Sequence, residues 1–142
     1  MTLNLIKLSV GSESIDSLAG WQQERLRNNG RLWHATRMTP RRREELLDGG
    51  SIYWVIKGYV QARQRVIGFD QVLQGAEGEE RRTTLLLLDP ELVAVEPRRH
   101  RPFQGWRYLQ TEDAPRDLGR GPEGGEDLPP EMLAELRDLG LL

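Results

Sequence analysis

The segment from 51 to 72 constrains the fold of this chain more than any other, because two alternating stretches flank Gly58. In the first stretch, one face is apolar and carries Ile52, Trp54 and Ile56. In the second stretch, small or apolar residues again alternate with polar ones. This pattern is typical of a β-hairpin that buries one face and leaves the other polar.

The register of this hairpin depends on the length of its loop. Apolar faces meet if the loop has three residues, Lys57-Gly58-Tyr59. The cross-strand pairs are then Tyr53 with Arg63 and Ser51 with Arg65. A two-residue loop, Lys57-Gly58, would place Trp54 on the side of Arg63, because a one-residue slip exchanges the two faces of a strand. The hydrophobic pattern therefore favours the three-residue loop.

The other predicted elements are short, and most of them are strands. In chain order they are a strand at 3–10, a helix capped by Ser12 or Ser14 and ended by Gly30, a strand at 32–38, a helix at 41–48 and strands at 83–88, 92–95 and 103–109. Asp89-Pro90 predicts a turn between two of these strands. Runs of strands without intervening helices argue against a doubly wound parallel sheet. We therefore expect an α+β fold, a small, partly open β-barrel of six or seven short strands flanked by two helices.

The chain of 142 residues has the length of one ordinary domain. We expect this domain to span residues 1–118, and an acidic linker rich in Gly and Pro to follow at 119–130. Residues 131–142 then predict a short amphipathic helix. Its apolar stripe consists of Met132, Leu133, Leu136 and Leu139. Such a helix can dock on its own core, on a partner protein or on a second copy of the chain.

Composition excludes several classes of protein. There is no cysteine, so disulfides, thiol catalysis and thiolate metal sites are excluded. Apolar runs such as the four leucines from Leu85 to Leu88 are far short of the ~20 residues that a membrane-spanning helix needs. The first ten residues lack the pattern of a signal peptide, so we expect a soluble, cytoplasmic protein. Residues 31–107 carry fourteen basic and ten acidic residues, whereas residues 108–142 carry three and nine.

The residues give little indication of catalysis. The two histidines, His34 and His100, are far apart and have no acidic residue at ligand spacing, so we expect no metal ion and no cofactor. There is no nucleophile elbow and no phosphate-binding loop signature. Glu44-Glu45 and Glu79-Glu80 are adjacent pairs, and adjacent helical positions do not converge on one substrate. The sequence identifies no catalytic residue, and we favour a function other than enzymatic.

The most suggestive pattern combines basic and aromatic residues. Phosphate groups are commonly bound by arginines and by backbone N–H groups at the start of a helix. Here arginines lie at the end of a strand, at the start of a helix and on the polar face of the hairpin. Aromatic rings among them suit the stacking of bases in single-stranded nucleic acid. The candidate nucleic-acid-binding residues are Arg37, Arg41, Arg42, Tyr53, Lys57, Arg63, Arg65, Trp106 and Arg107. We therefore predict a module that binds RNA or a modified nucleotide.

Simpler interpretations of the same residues stay open. Arginines 41–43 precede Glu44, Glu45 and Asp48, so they can form ion pairs on a helix surface. Trp21, Trp33 and Trp54 are expected in the core, because a small domain needs its large apolar side chains there. Two other functions also remain: a regulatory module that binds a protein through residues 131–142, and a small enzyme acting on a nucleotide-like substrate.

Several stretches also resemble a known family. They are Asn4 to Gly11, Thr36 to Gly58, Gln61 to Ile67, Leu88 to Leu92 and Arg101 to Leu109. They resemble an uncharacterised family of alphaproteobacterial proteins catalogued as domain of unknown function 1489, which brings no established activity, catalytic residues or cofactor. The layout of a helix, a glycine pair and a hairpin is similar, at the level of the fold, to PUA-like barrels of the ASCH and EVE groups. That second resemblance implies binding of RNA or modified bases.

Overall fold

The structure is a computed structural model that describes residues 2–74, 78 and 81–118. Its elements alternate between helix and strand at first and then continue as long strands. They are β1 (Leu3–Leu8), α1 (Ile15–Asn29), β2 (Leu32–Thr36), α2 (Arg43–Leu47), β3 (Ser51–Ile56), β4 (Tyr59–Gln74), β5 (Arg81–Arg99), β6 (Trp106–Gln110) and a 3-10 turn (Thr111–Asp113). The predicted linker at 119–130 and the predicted helix at 131–142 lie outside the described residues.

All six strands belong to one sheet in the order β2-β5-β4-β3-β1-β6. Strands β1 and β3 are parallel, and every other neighbouring pair is antiparallel. The predicted α+β class is therefore confirmed. The sheet is not closed, since β2 and β6 stand at its two ends, so the predicted barrel is not confirmed. In the described part of the chain, no helix has the length and apolar character needed to cross a membrane.

The hairpin of β3 and β4 confirms the predicted pairs but not the predicted loop. Tyr53 lies opposite Arg63, yet Ile56 pairs with Tyr59, so the loop contains only Lys57 and Gly58. Both loop residues have positive φ, as a type I′ turn requires. A β-bulge restores the register, because Trp54 pairs with Ala62 while its neighbour Val55 pairs with Val60. The bulged residue is Gln61, whose buried side chain donates a hydrogen bond of 2.7 Å to the carbonyl of Ile56.

The predicted turn at Asp89-Pro90 is a second irregularity within one continuous strand, β5. Gln64 pairs with Leu92 and Val66 with Leu88, so β5 contains more residues than β4 at this point. The side chain of Asp89 accepts a hydrogen bond of 2.9 Å from the backbone N–H of Glu91. Local hydrogen bonding therefore bends the strand without ending it.

The two helices differ in how well their ends were predicted. Ser14 caps α1 and accepts a hydrogen bond from the N–H of Ser17, and Gly30 ends the helix in the left-handed conformation. Helix α2 is shorter than predicted and has no side-chain cap. The Thr39 hydroxyl, expected as that cap, is hydrogen-bonded to the Thr84 hydroxyl on β5 instead.

Side chains on the two faces of the sheet form separate cores. The larger core lies under both helices and contains Leu3, Leu5, Leu18, Leu32, Leu46, Ile52, Trp54, Ile56, Val66, Leu86 and Leu88. The smaller core lies on the opposite face and contains Ile6, Tyr53, Val55, Val60 and Val95. Phe103, Leu109 and Ala114 pack over the smaller core. Each face of the sheet also carries a hollow, and the two hollows differ in chemistry.

Candidate ligand pocket

The larger hollow, which we call the tryptophan pocket, lies where the end of β1 meets α1, β2 and β3. Its volume is about 480 Å³, within the range of small-molecule sites. It is lined by Lys7, Leu8, Ser9, Val10, Gly11, Ser12, Ser17, Leu18, Trp21, Gln22, Trp33, His34, Trp54 and Leu88. Three of these are tryptophans, and none of the described lining residues is acidic.

The three tryptophans have different environments. Trp54 is only 3% exposed, as predicted, and the edge of its ring meets the ring of His34 at 5.2 Å between centroids. Trp21, by contrast, is 51% exposed, so the expectation of a core residue was wrong for it. The guanidinium of Arg25 lies 4.3 Å from the ring centre of Trp21 and 5.0 Å from that of Trp33. Cation–π attraction to a single arginine therefore holds the two outer indoles near one another.

A buried amide network joins α1 to the sheet and holds two residues of the pocket lining, Gln22 and Trp54. Gln22 and Gln64 exchange two hydrogen bonds of 2.9 Å through their side-chain amides. The Oε1 of Gln64 also accepts a hydrogen bond of 3.2 Å from the indole N–H of Trp54. Its Nε2 donates one of 2.8 Å to the carbonyl of Asp89 in the bent part of β5. Since buried polar groups that lose a partner are costly, this network fixes both α1 and the Trp54 ring.

His34 is the titratable group deepest in this wall. Burial is the main cause that lowers its pKa to about 4, and the positive charges of Lys7 and Arg25 act in the same direction. The imidazole is therefore neutral at neutral pH. Its Nε2 is buried and has no hydrogen-bond partner in the described part of the structure. An unsatisfied polar atom of this kind costs about 1–3 kcal/mol and calls for an explanation.

Lys7 brings a positive charge to the same pocket. It shares the face of β1 with the buried residues Leu3 and Leu5. On that face it is the register partner of Trp54 on β3 and of Trp106 on β6. Burial lowers the pKa of its ammonium group. The tryptophan pocket thus combines flat aromatic rings, a neutral imidazole and a cation.

Comparison with known proteins gives a family and nothing more specific. The family model described as protein of unknown function DUF1489 matches residues 5–142. The chain belongs to this family. The resemblance expected from the sequence is thereby confirmed. No curated protein and no solved structure matches the chain, so the similarity to PUA-like barrels is not confirmed.

The residues predicted to bind nucleic acid do not form one surface. Tyr53 and Arg63 lie on the face of the smaller core, whereas Trp106 packs against the larger core on the opposite face. Lys57 lies in the hairpin loop, not on either face. Arg37, Arg41, Lys57 and Arg65 are exposed. The sequence alone could not show that the sheet separates these residues.

Several members of the predicted set are occupied by contacts within the chain. The Nε and Nη2 atoms of Arg42 both donate hydrogen bonds to the carboxylate of Glu45. The ion pair on the helix surface, which the sequence left open for arginines 41–43, therefore forms at Arg42. Trp106 donates its indole N–H to the carbonyl of Met38 at 2.9 Å. The guanidinium of Arg107 lies 4.9 Å from the ring centre of Phe103. Each of these three side chains therefore has a structural role within the chain.

Arg63 and Tyr53 line the second hollow, which we call the polar cleft. Its volume is about 370 Å³. It is lined by Thr2, Asn4, Gly49, Ser51, Tyr53, Arg63, Thr111, Ala114, Pro115, Arg116 and Asp117. Arg63 makes a bidentate ion pair with Asp117, with N–O distances of 2.6 and 2.7 Å. Its guanidinium also donates a hydrogen bond of 3.2 Å to the Ser51 hydroxyl. Burial is the main cause that raises the pKa of Tyr53.

The described residues show neither a cluster of metal ligands nor a carboxyl group in the lining of the tryptophan pocket. Among them, no three side chains of His, Asp or Glu converge in a way that could hold a metal ion. The sequence offered few local signs of the tryptophan pocket. One signal in the sequence pointed to this pocket: Lys7 interrupts the apolar face begun by Leu3 and Leu5.

Proposed function

We propose that this protein binds single-stranded nucleic acid, with RNA as the first candidate, and that the tryptophan pocket receives one unstacked base. The observation that carries the proposal is the pocket itself. It gathers three indole rings around a cavity of about 480 Å³, and its described lining contains no negative charge. A cavity of this size is within the range that holds small organic ligands.

The chemistry of the pocket suits a base better than a purely apolar ligand. Every nucleobase offers a flat π-face, and stacking on an aromatic side chain contributes about 1–3 kcal/mol per base. Trp21, half exposed at the rim, can stack without a change in the fold. The neutral imidazole of His34 is a hydrogen-bonding group near the same rings. Specific recognition of RNA commonly combines stacking with such edge contacts.

Exposed basic residues would then contact the phosphate backbone. Arg37, Arg41, Lys57 and Arg65 are exposed and make no ion pair with a described acidic residue. Arg107 is also exposed and makes no ion pair with a described residue, and its guanidinium contacts the ring of Phe103. These residues remain available to phosphates, whereas Arg42 and Arg63 are paired. Their roles stay predictions, as do a cytoplasmic location and a protein partner for residues 131–142.

The test is fluorescence anisotropy with labelled single-stranded RNA, duplex RNA and single-stranded DNA at two salt concentrations. We expect saturable binding that prefers a single strand and weakens with salt. Trp21→Ala should weaken it by about tenfold or more, since stacking on one ring contributes 1–3 kcal/mol. The control is Leu73→Ala, which removes a large exposed apolar side chain outside the pocket.

Two outcomes would overturn the proposal. One is the absence of saturable binding to any of the three nucleic acids at low salt. The other is binding that Trp21→Ala and Leu73→Ala leave equally unchanged, because a base would then not lie in the tryptophan pocket.

A further inference from the structure

The ammonium group of Lys7 is the least expected feature of the tryptophan pocket. It extends from a strand face that is otherwise buried, between two register partners that are both tryptophans, Trp54 and Trp106. No ion pair or hydrogen bond joins the ammonium group of Lys7 to any described residue. Burial alone accounts for the direction in which its pKa moves, so no nearby carboxylate offsets the cost of burial.

A half-buried cation without an anion is unfavourable, and proteins usually pair such charges or replace them with apolar residues. Methionine would fill the same space on this face of β1 without the cost of desolvation. The neighbouring charges make the site more positive still, because Arg25 also acts on His34, the residue beside Lys7 in the pocket wall. A negative partner from outside the chain would account for this arrangement.

We propose that the ammonium group of Lys7 binds a phosphate group of the nucleotide whose base lies in the tryptophan pocket. This inference rests on the proposed function and adds the ligand class: a nucleotide that carries a phosphate, not a neutral nucleoside. A lysine ammonium is a common point-charge partner for phosphate oxygens. The Ser12 hydroxyl lines the same pocket and adds a hydrogen-bonding group. A free mononucleotide and the phosphate at the end of a strand share this chemistry.

The experiment uses the full chain and compares ligands that differ only in charge. The four ribonucleosides and their 5′-monophosphates are titrated while the tryptophan fluorescence is recorded. We expect at least one monophosphate to bind about tenfold or more tightly than its nucleoside, because a hydrogen bond between two charged groups is stronger than one between neutral groups. RNA oligonucleotides with a 5′-phosphate or a 5′-hydroxyl then distinguish a strand end from a free nucleotide.

Lys7→Met assigns the preference to this side chain. The variant should bind the monophosphate about as weakly as the nucleoside, and its affinity for the nucleoside should stay within about twofold of the original. Arg82→Gln is the matched control, since Arg82 is exposed on β5 and lies outside the lining of the pocket. A structural role for Lys7 predicts the opposite pattern, with lower stability and equal losses for both ligands.

The outcomes separate this inference from the proposed function. Equal affinities for nucleoside and monophosphate in the unmutated protein overturn the inference and leave base binding intact. A monophosphate preference that survives in Lys7→Met also overturns it. If no nucleoside, nucleotide or oligonucleotide binds, the proposed function fails and the inference fails with it. If Lys7→Met does not fold, Lys7→Gln takes its place with the same expected loss of the monophosphate preference, and equal affinities in the unmutated protein still overturn the inference.

Discussion

The two hollows of this sheet offer a direct comparison, because they are of similar size and lie on opposite faces. The polar cleft contains three charged side chains, and each is paired: Arg63 with Asp117, and Arg116 with Glu96 at 3.8 Å. The tryptophan pocket contains a cation and an imidazole nitrogen that have no partner among the described residues. In the polar cleft the charged side chains are paired within the chain, whereas in the tryptophan pocket the charged side chain is not.

The difference teaches where a ligand is to be expected. Polar groups that are already paired must lose a partner before they bind something else, which weakens any new interaction. Groups left unsatisfied in a preformed cavity gain the whole interaction when a ligand arrives. The polar cleft looked more promising in the sequence, because it contains two predicted site residues, Tyr53 and Arg63. The tryptophan pocket is the better candidate on physical grounds.

The largest effect should come from Trp54, which belongs to the core and to the pocket at once. Trp54→Ala should lower the free energy of unfolding by about 3–5 kcal/mol, as expected for the loss of a buried tryptophan. It also leaves the Oε1 of Gln64 with one hydrogen bond fewer. Equilibrium unfolding in urea, followed by circular dichroism, measures the change.

Trp21→Ala is the matched variant for that measurement. Trp21 is half exposed and contacts Arg25, so its loss should change the unfolding free energy by less than about 1 kcal/mol. Equal destabilisation by both variants would contradict the distinction between a structural and a ligand-facing tryptophan. Together the two variants separate the wall of the pocket from its rim.

How much of this could be predicted from the sequence depends on the distance between the interacting residues. The hairpin pairs were predicted correctly because alternation within 51–72 is a local signal. The loop was not, because Gln61 forms a bulge, and its buried hydrogen bond to Ile56 does not show in the alternation. A three-residue loop and a two-residue loop followed by a bulge both place Tyr53 opposite Arg63, so the alternating pattern cannot distinguish them.

The tryptophan pocket could not be predicted in the same way. Lys7 comes from β1, Trp21 from α1 and Trp33 from β2, and only the tertiary fold brings these three elements to one cavity. The amide pair of Gln22 and Gln64 joins residues 42 positions apart. In the sequence, Gln64 alternates with small and apolar residues, and Lys7 lies on an otherwise apolar strand face. A polar residue on a buried face is the one local sign of a site whose other residues are far away in the sequence.

The next effect concerns His34 and the pH dependence of stability. Its pKa in the folded protein is about 4, below the ordinary value of 6.5, because burial and the charges of Lys7 and Arg25 disfavour the imidazolium. Between these two values the unfolded chain binds a proton that the folded chain does not. The free energy of unfolding should therefore fall as the pH falls from 6.5 toward 4, by up to about 3 kcal/mol.

His34→Phe keeps an aromatic ring against Trp54 and removes the titrating group. Thermal unfolding at half-unit steps between pH 4 and pH 7 should show a shallower decline for this variant than for the original chain. Identical curves would mean that His34 titrates normally, and the tryptophan pocket would then be wetter than the structure indicates. The contrast with the polar cleft would be weaker for the same reason.

The smallest effect should come from the ion pair of the polar cleft. Asp117→Asn removes the negative partner of Arg63 at a partly exposed site, so the free energy of unfolding should fall by about 1 kcal/mol or less. Hydrogen bonding to Arg63 lowers the pKa of the Asp117 carboxyl, so this contribution is present above its ordinary pKa and is lost as the pH falls further. Urea unfolding at pH 7 and at pH 3 measures both values.

The same variant gives the sharpest test of the comparison between the two hollows. If the polar cleft serves only the fold, Asp117→Asn should leave RNA affinity unchanged, because phosphate contacts would come from elsewhere. If Asp117→Asn instead binds RNA more tightly, and the double variant Arg63→Gln, Asp117→Asn loses that gain, then Arg63 contacts RNA once Asp117 no longer pairs with it. Asp117 would then occupy the position of a phosphate on Arg63, and the site predicted from the sequence would be real but covered by the chain's own carboxylate.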